Sequence, residues 1–214
     1  MKMGSCASLK SGRAFFKSLI VVATIVVTGV AVQSVSAGEA TEAMRGTIDE
    51  VLRILADKAL KQPAKANERR QLLEKVVGER FDYEEMSRRS LGASWANQSD
   101  KEKQEFVSLF QTLLVNTYAD KIESYTGDGV QFLNERNEKE YAEVRTKVLT
   151  GKTEIPLDYR LLNKGSGWRV YDVVVDGVSL VNNYRGQFSK ILRNGSYADL
   201  VDQLRKKSEK IKSP

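Results

Sequence analysis

The stretch Ala142-Glu143-Val144-Arg145-Thr146-Lys147-Val148 decides the fold class of this chain. Its side chains alternate between apolar or small and charged, a period of two that turns one row to a core and the other to water. That pattern belongs to an antiparallel sheet with one wet face. On the C-terminal side, Thr150-Gly151-Lys152 turns the chain into a run where Ile155, Leu157, Tyr159 and Leu161 share a face, with Pro156 pointing to an edge or a bulge. Lys164-Gly165-Ser166-Gly167 turns again into a strand from Trp168 to Asp176. On the N-terminal side, Val130 and Phe132 open a short strand after Gly127-Asp128-Gly129. Consecutive strands joined by short glycine-rich turns predict an antiparallel meander.

Both flanks of this meander have a helical period. Met44, Ile48, Val51, Leu52, Leu55 and Ala59 form one stripe, which Pro63 ends. Leu72, Leu73, Val76 and Val77 mark a second helix closed near Gly78. Asp82 with Glu85 starts a third, Phe81 stapling against Met86 and Gly92 stopping it. Ser99-x-x-Glu102 is a capping box ahead of the stripe Phe106, Leu109, Phe110, Leu113, Leu114, Tyr118 and Ile122. After the sheet, Val181, Tyr184, Phe188, Ile191 and Leu192 line one side of a helix capped at Asn194-Gly195. Ser196-x-x-Asp199 starts a last helix with Leu200, Val201 and Leu204, beyond which the lysines read as a frayed tail. The fold class is α+β, with helices on one face of a curved antiparallel sheet of four to five strands.

The N-terminus reads as an address. Lys10, Arg13 and Lys17 precede an apolar run from Leu19 to Val32, and Val35-Ser36-Ala37 offers the small residues of a cleavage site. Fourteen helical residues span about 21 Å, short of the roughly 30 Å hydrocarbon core, so residues 1–37 are expected to be a signal peptide cleaved after Ala37. Residues 38–214 would then be the working domain in a secreted or periplasmic space. The segment carries four of the 34 basic residues and none of the 28 acidic ones, so the formal +6 falls to +2 without it. A strongly basic polyanion binder is thereby disfavoured, and no nucleic acid is expected as partner. The single cysteine, Cys6, leaves with the same segment, and the chain has no histidine. His-dependent acid–base chemistry, Ser-His-Asp triads and almost all zinc sites are excluded at one stroke.

The remaining candidates for chemistry are few. Asp172 and Asp176 share a strand face and could form a carboxylate pair, or simply lie at a solvated edge. Tyr159, Tyr171 and Tyr184 could donate to an oxyanion, or be amphipathic walls. Arg88-Arg89 and Lys206-Lys207 could touch headgroups, although charge pairs are usually a solvated face. Trp95 and Trp168 have no basic-aromatic interleaving around them and read as core or rim anchors. An isomerase or hydrolase would need Asp158 or Asp172 buried against a tyrosine. An adaptor or chaperone would show a filled interior and an exposed apolar patch. Apolar supply is what stands out; a dry core and a ligand cavity look identical in such a residue list, and the residues by themselves favour the dry, filled core.

The block from Gly167 to Asp176, continued by Gly177-Val178-Ser179-Leu180 and Tyr184, Phe188, Ile191 and Leu192, resembles the signature of the MlaC family. The stretch Phe81 to Trp95, followed by Phe106, Phe110, Leu113 and Tyr118, is similar to the same family's helical motif. The resemblance runs from about Phe81 to Leu204. It implies a nuclear-transport-factor-like fold opened into a deep apolar pocket for the acyl chains of a phospholipid. It further implies a non-enzymatic periplasmic carrier without a cofactor. Its partners would be an inner-membrane ABC transporter bearing an MCE-domain protein and an outer-membrane lipoprotein–porin complex. The expected pocket is Val178, Leu180, Tyr184 and Phe188, with Val144, Val148, Leu157, Tyr159, Val170 and Val174 from the sheet and Phe106, Phe110 and Leu113 closing the far side. Asp172 shares the parity of Val170 and Val174, so either that carboxylate sits at a wet mouth, or Tyr171, Val173 and Val175 face the pocket instead.

Overall fold

The computed structural model describes residues 38–210, Lys152 aside; the expected signal peptide lies outside the described residues. Four helices come first: α1 (Glu39–Ala56), α2 (Ala66–Arg80), α3 (Tyr83–Leu91) and α4 (Asp100–Glu123). The strands follow as β1 (Gly129–Glu138), β2 (Tyr141–Thr150), β3 (Thr153–Asn163), β4 (Trp168–Val175) and β5 (Val178–Ser179). Two helices close the described chain, α5 (Leu180–Asn194) and α6 (Tyr197–Lys210). The strands pair in chain order β1-β2-β3-β4-β5, every pair antiparallel, as a meander requires.

The alternation in β2 turns out as its residues predict. Ala142, Val144 and Thr146 are buried on the helix side. Thr146 belongs there because its hydroxyl donates to the Leu157 carbonyl, which offsets the cost of hiding a polar atom. Pro156 sits in β3 without harm: its carbonyl accepts from Asp176 N–H, so its absent N–H faces the place where β4 has already ended. The β4–β5 hairpin turns at Asp176-Gly177, both at positive φ (49° and 79°), the geometry that favours a tight reversal.

Several boundaries differ from the expectation, each for a local reason. α1 ends at Ala56 rather than running to Pro63, because the Asp57 carboxylate accepts from Ala59 and Leu60 N–H and offers the chain a turn instead. α2 passes through Gly78 and stops only at Arg80, where Asp82 N–H donates to the Val170 carbonyl and ties the chain to the edge of β4. β1 is ten residues long, not short. The last helix does not fray after Leu204; it continues to Lys210, held by Arg205 paired with Glu105 and by Ser208 buried against α4. The capping box at Ser99 and Glu102 is present, and Asp82 caps α3 through Glu85 N–H at 2.9 Å.

The interior is divided rather than continuous. One cluster joins α3, α4, α5 and α6 around Met86, Phe106, Phe110, Tyr184, Phe188 and Leu200. A second packs Ala40, Met44 and Ile48 of α1 on Val144, Leu161 and Val170 of the sheet. A third, small one joins Ile54 and Leu55 to Leu73 of α2. Phe81 is partly buried against both of the larger two.

Candidate functional site

Between these clusters lies a cavity of about 360 Å³, within the range of small-molecule sites and far larger than a packing defect. Its floor is the inner face of the sheet: Val130, Val148, Leu157, Tyr159, Val173 and Val175. Its walls are α1 (Met44, Ile48, Val51, Leu52, Leu55), α2 (Leu73, Val77) and the C-terminal half of α4 (Val115, Tyr118, Ala119, Ile122). Phe81, Tyr83, Met86 and Leu180 close the end nearest α3 and α5. No group of acidic, cysteine or histidine side chains able to hold a metal ion occurs among the described residues.

A bulge sets which residues of β4 face inward. The β3–β4 register shifts between Arg160 and Leu161, leaving Tyr171 unpaired. Val170 therefore pairs with Leu161 and points into the second cluster, whereas beyond the bulge Val173 and Val175 take over the inner face opposite Tyr159 and Leu157. Asp172 and Val174 are turned to the other side. The two alternatives left open by the sequence are thus both partly realised, one on each side of the bulge.

Of the thirteen residues expected around the pocket, Val148, Leu157, Tyr159 and Leu180 line the cavity. Nine stand elsewhere. Phe106, Phe110, Leu113, Tyr184 and Phe188 are packed on one another in the helical cluster. Val144 and Val170 are buried between α1 and the sheet, and Val174 lies on the opposite sheet face. Val178, at the β5 hairpin, is 60% exposed. The wall residues of α1, α2 and Tyr118 to Ile122 were not foreseen as lining. Their signal was present as a stripe, but a stripe does not say whether its partner touches it.

The tempting chemistry is absorbed by structure. Asp172 is 3% exposed and holds the start of α5: its carboxylate accepts from Val181 N–H at 3.0 Å, from the Ser179 hydroxyl at 2.7 Å and from Arg160 at 3.1 Å. It faces away from the cavity, so it makes no pair with a lining tyrosine. Asp176 is a turn residue. Tyr159 is buried, and that burial pushes its phenol well above the ordinary range, so the cavity keeps a neutral hydroxyl. Burial, with Glu74 nearby, pushes Tyr83 up to about 12. Arg89 lies over the Tyr171 ring at 4.0 Å on the far side of the sheet.

The charged part of the lining comes from facing stretches of α2 and α4: Arg70 and Glu74, Lys121 and Glu123. Glu123 accepts from Arg69 at 3.0 Å, and both of those side chains are largely buried. Arg70 is held more loosely, 3.4 Å from Glu74, 3.6 Å from Asp120 and 4.0 Å from Glu123. The arrangement is a deep apolar chamber with ionic groups at one margin, suited to a molecule that has a long greasy part and a polar end.

The chain is similar to known proteins. The family model described as MlaC protein matches residues 45–206. The toluene tolerance protein ttg2D of Pseudomonas putida is 26% identical over 172 residues, covering 78% of this chain and 79% of that protein. The intermembrane phospholipid transport system binding protein MlaC of Haemophilus influenzae is 22% identical over 120 residues, covering 53% of this chain and 56% of that protein. A phospholipid-binding protein from Ralstonia solanacearum, solved in complex with a phospholipid, superposes with a TM-score of 0.71 at 25% identity, covering 81% of this chain and 99% of that one.

Proposed function

This chain belongs to the MlaC protein family, and from that premise we propose that it is a carrier of phospholipid that hides acyl chains in the cavity between sheet and helices. The observation that carries the reading is the 360 Å³ chamber with its aliphatic walls. The names of the relatives in Pseudomonas and Haemophilus and the lipid in the Ralstonia structure support it. Burial is worth about 0.8 kcal/mol per methylene, so a sixteen-carbon tail represents on the order of 12 kcal/mol. A lipid cannot cross water unshielded at a useful rate against such a term. Walls of valine, leucine and isoleucine supply comparable burial without directional bonds, so chain length and unsaturation should matter little.

The site of action in this reading is the periplasm, reached by removal of residues 1–37, with residues 38–214 as the mature lipid-binding domain. No helix among the described residues is long and apolar enough to cross a membrane. The carrier would shuttle lipid between an outer-membrane lipoprotein–porin complex and an inner-membrane ABC transporter with an MCE-domain protein, and so maintain outer-membrane lipid asymmetry. Release needs a partner with preference for the lipid or for the empty carrier, since only differential affinity moves the equilibrium. No catalytic role is proposed, and the energy of transport belongs to the transporter.

Mass spectrometry of an organic extract of the purified mature protein tests the reading. Phospholipid near one molecule per chain is expected. A protein that emerges free of lipid after gentle purification, and takes none up from vesicles, would refute it.

A further inference from the structure

We propose that the Tyr159 hydroxyl donates a hydrogen bond to an ester carbonyl of the bound phospholipid, so that the chamber selects acyl esters over ethers. The inference rests on the carrier reading and adds to it the cargo atom that is recognised. Tyr159 stands on β3 in the chamber floor and is 8% exposed. Its hydroxyl has no hydrogen-bond partner among the described residues. Unlike the buried, unpartnered oxygens of Ser87 and Ser90, it belongs to a side chain that borders the chamber.

The surroundings leave this donor unserved. Val144 and Val173 are its cross-strand neighbours, and Ala40, Met44 and Ile48 of α1 share its cluster; none offers a side-chain oxygen or nitrogen. The flanking threonines are committed elsewhere: Thr47 donates to the Ala43 carbonyl and accepts from Arg80, and Thr146 donates to the Leu157 carbonyl. The other lining tyrosines differ. Tyr125 is bonded to the backbone of Gly129 and Leu149, Tyr83 has the Glu74 carboxylate nearby, and Tyr118 is exposed enough to meet water. Burial alone raises the Tyr159 phenol, which keeps its proton on the oxygen. A buried donor without a partner is costly, and a cargo acceptor removes that cost. The acyl chain itself has no acceptor; the ester carbonyl is the first above the hydrocarbon. It is neutral, so it enters an apolar chamber at far less cost than the phosphate. A site with such a donor rejects an analogue lacking the acceptor, a discrimination that aliphatic walls cannot supply.

Two lipids with one headgroup separate the contributions: oleoyl lysophosphatidylcholine, with the carbonyl, and its octadecenyl ether analogue, without it. Both are titrated by calorimetry into delipidated mature protein, below their micelle concentrations. The wild type should bind the ester at least about fivefold more tightly than the ether. Tyr159→Phe keeps the ring and should bring that ratio close to one without weakening the ether lipid, whereas Tyr118→Phe should leave it unchanged. Infrared spectra of the wild-type complex, with an isotope-labelled ester, should place the carbonyl band below its frequency for the same lipid in dry hexane. This readout needs no variant to fold. An equal ratio in wild type and Tyr159→Phe, a ratio abolished by Tyr118→Phe instead, or an unshifted carbonyl band overturns the contact. Failure of the wild type to bind either lipid overturns the carrier reading itself, and the contact with it.

Discussion

The two ends of α4 live in different surroundings. Toward its start, Phe106 and Phe110 meet Tyr184 and Phe188 with ring centroids 5.1–5.9 Å apart, most of them edge to face. Toward its end, Val115, Tyr118, Ala119 and Ile122 look across empty space at α1 and the sheet. Flat rings can tile a volume by putting edges on faces, and the helices around them close up. Short branched side chains on α1 and α2 cannot reach the opposite wall, and the gap survives. The protein keeps its tightest packing and its chamber apart: interlocked aromatic rings fill one end, and mostly aliphatic residues, with a few single rings, border the other.

The largest blow to that division should come from Phe110→Ala. It removes a fully buried ring from the filled end and should cost about 4 kcal/mol, read as a lower urea midpoint. If the loss were small, the helical cluster would not be the stabilising end. Next comes Asp172→Ala, which frees the start of α5 from β4 and leaves Arg160 only its longer contact to Glu143. A cost of about 3 kcal/mol is expected in the same assay. The third test fills the hollow end. Ala119→Phe should change stability by less than about 1 kcal/mol, because the added ring enters open space, yet it should sharply reduce copurified phospholipid.

The smallest effect is a pH dependence at the filled end. Burial raises the Glu85 carboxyl, but hydrogen bonds and charge from Arg88 and Arg89 outweigh it and hold the group below its ordinary 4.5. A depressed carboxylate contributes stability that is present above the unfolded value and is lost as pH falls through the folded one. Wild type should therefore lose stability below about pH 4.5, and Glu85→Gln should flatten that acid limb. Urea midpoints at pH 3 to 6 measure it.

The elements were legible because their periods differ: two in β2 and β3, 3.6 in α1, α4 and α5. The capping residues Asp82 and Ser99 mark helix starts by chemistry that acts within four residues, so they too can be read locally. The bulge at Tyr171 was not legible. It depends on how β4 registers against Arg160 and Leu161, a partner a dozen residues away, and it reverses which valines face inward. The extent of α2 escaped for another reason: its face toward the chamber is only partly apolar, so its stripe is faint. As for the site, the resemblance said that the interior is hollow but not where. Phe110 and Ala119 lie on one helix, and only tertiary distance distinguishes the residue that fills from the residue that borders.

Because α4 is a single 24-residue rod shared by both ends, the molecule has a division of labour along one helix. Drift in Val51, Leu52 or Ile122 reshapes what the chamber admits without disturbing the ring cluster on which folding depends. Descendants of such a chain can therefore change cargo by exchanging a handful of aliphatic side chains. The same residues should tolerate mutation in the laboratory far better than Phe106 or Phe188, which makes them the natural starting point for redesigning what is carried.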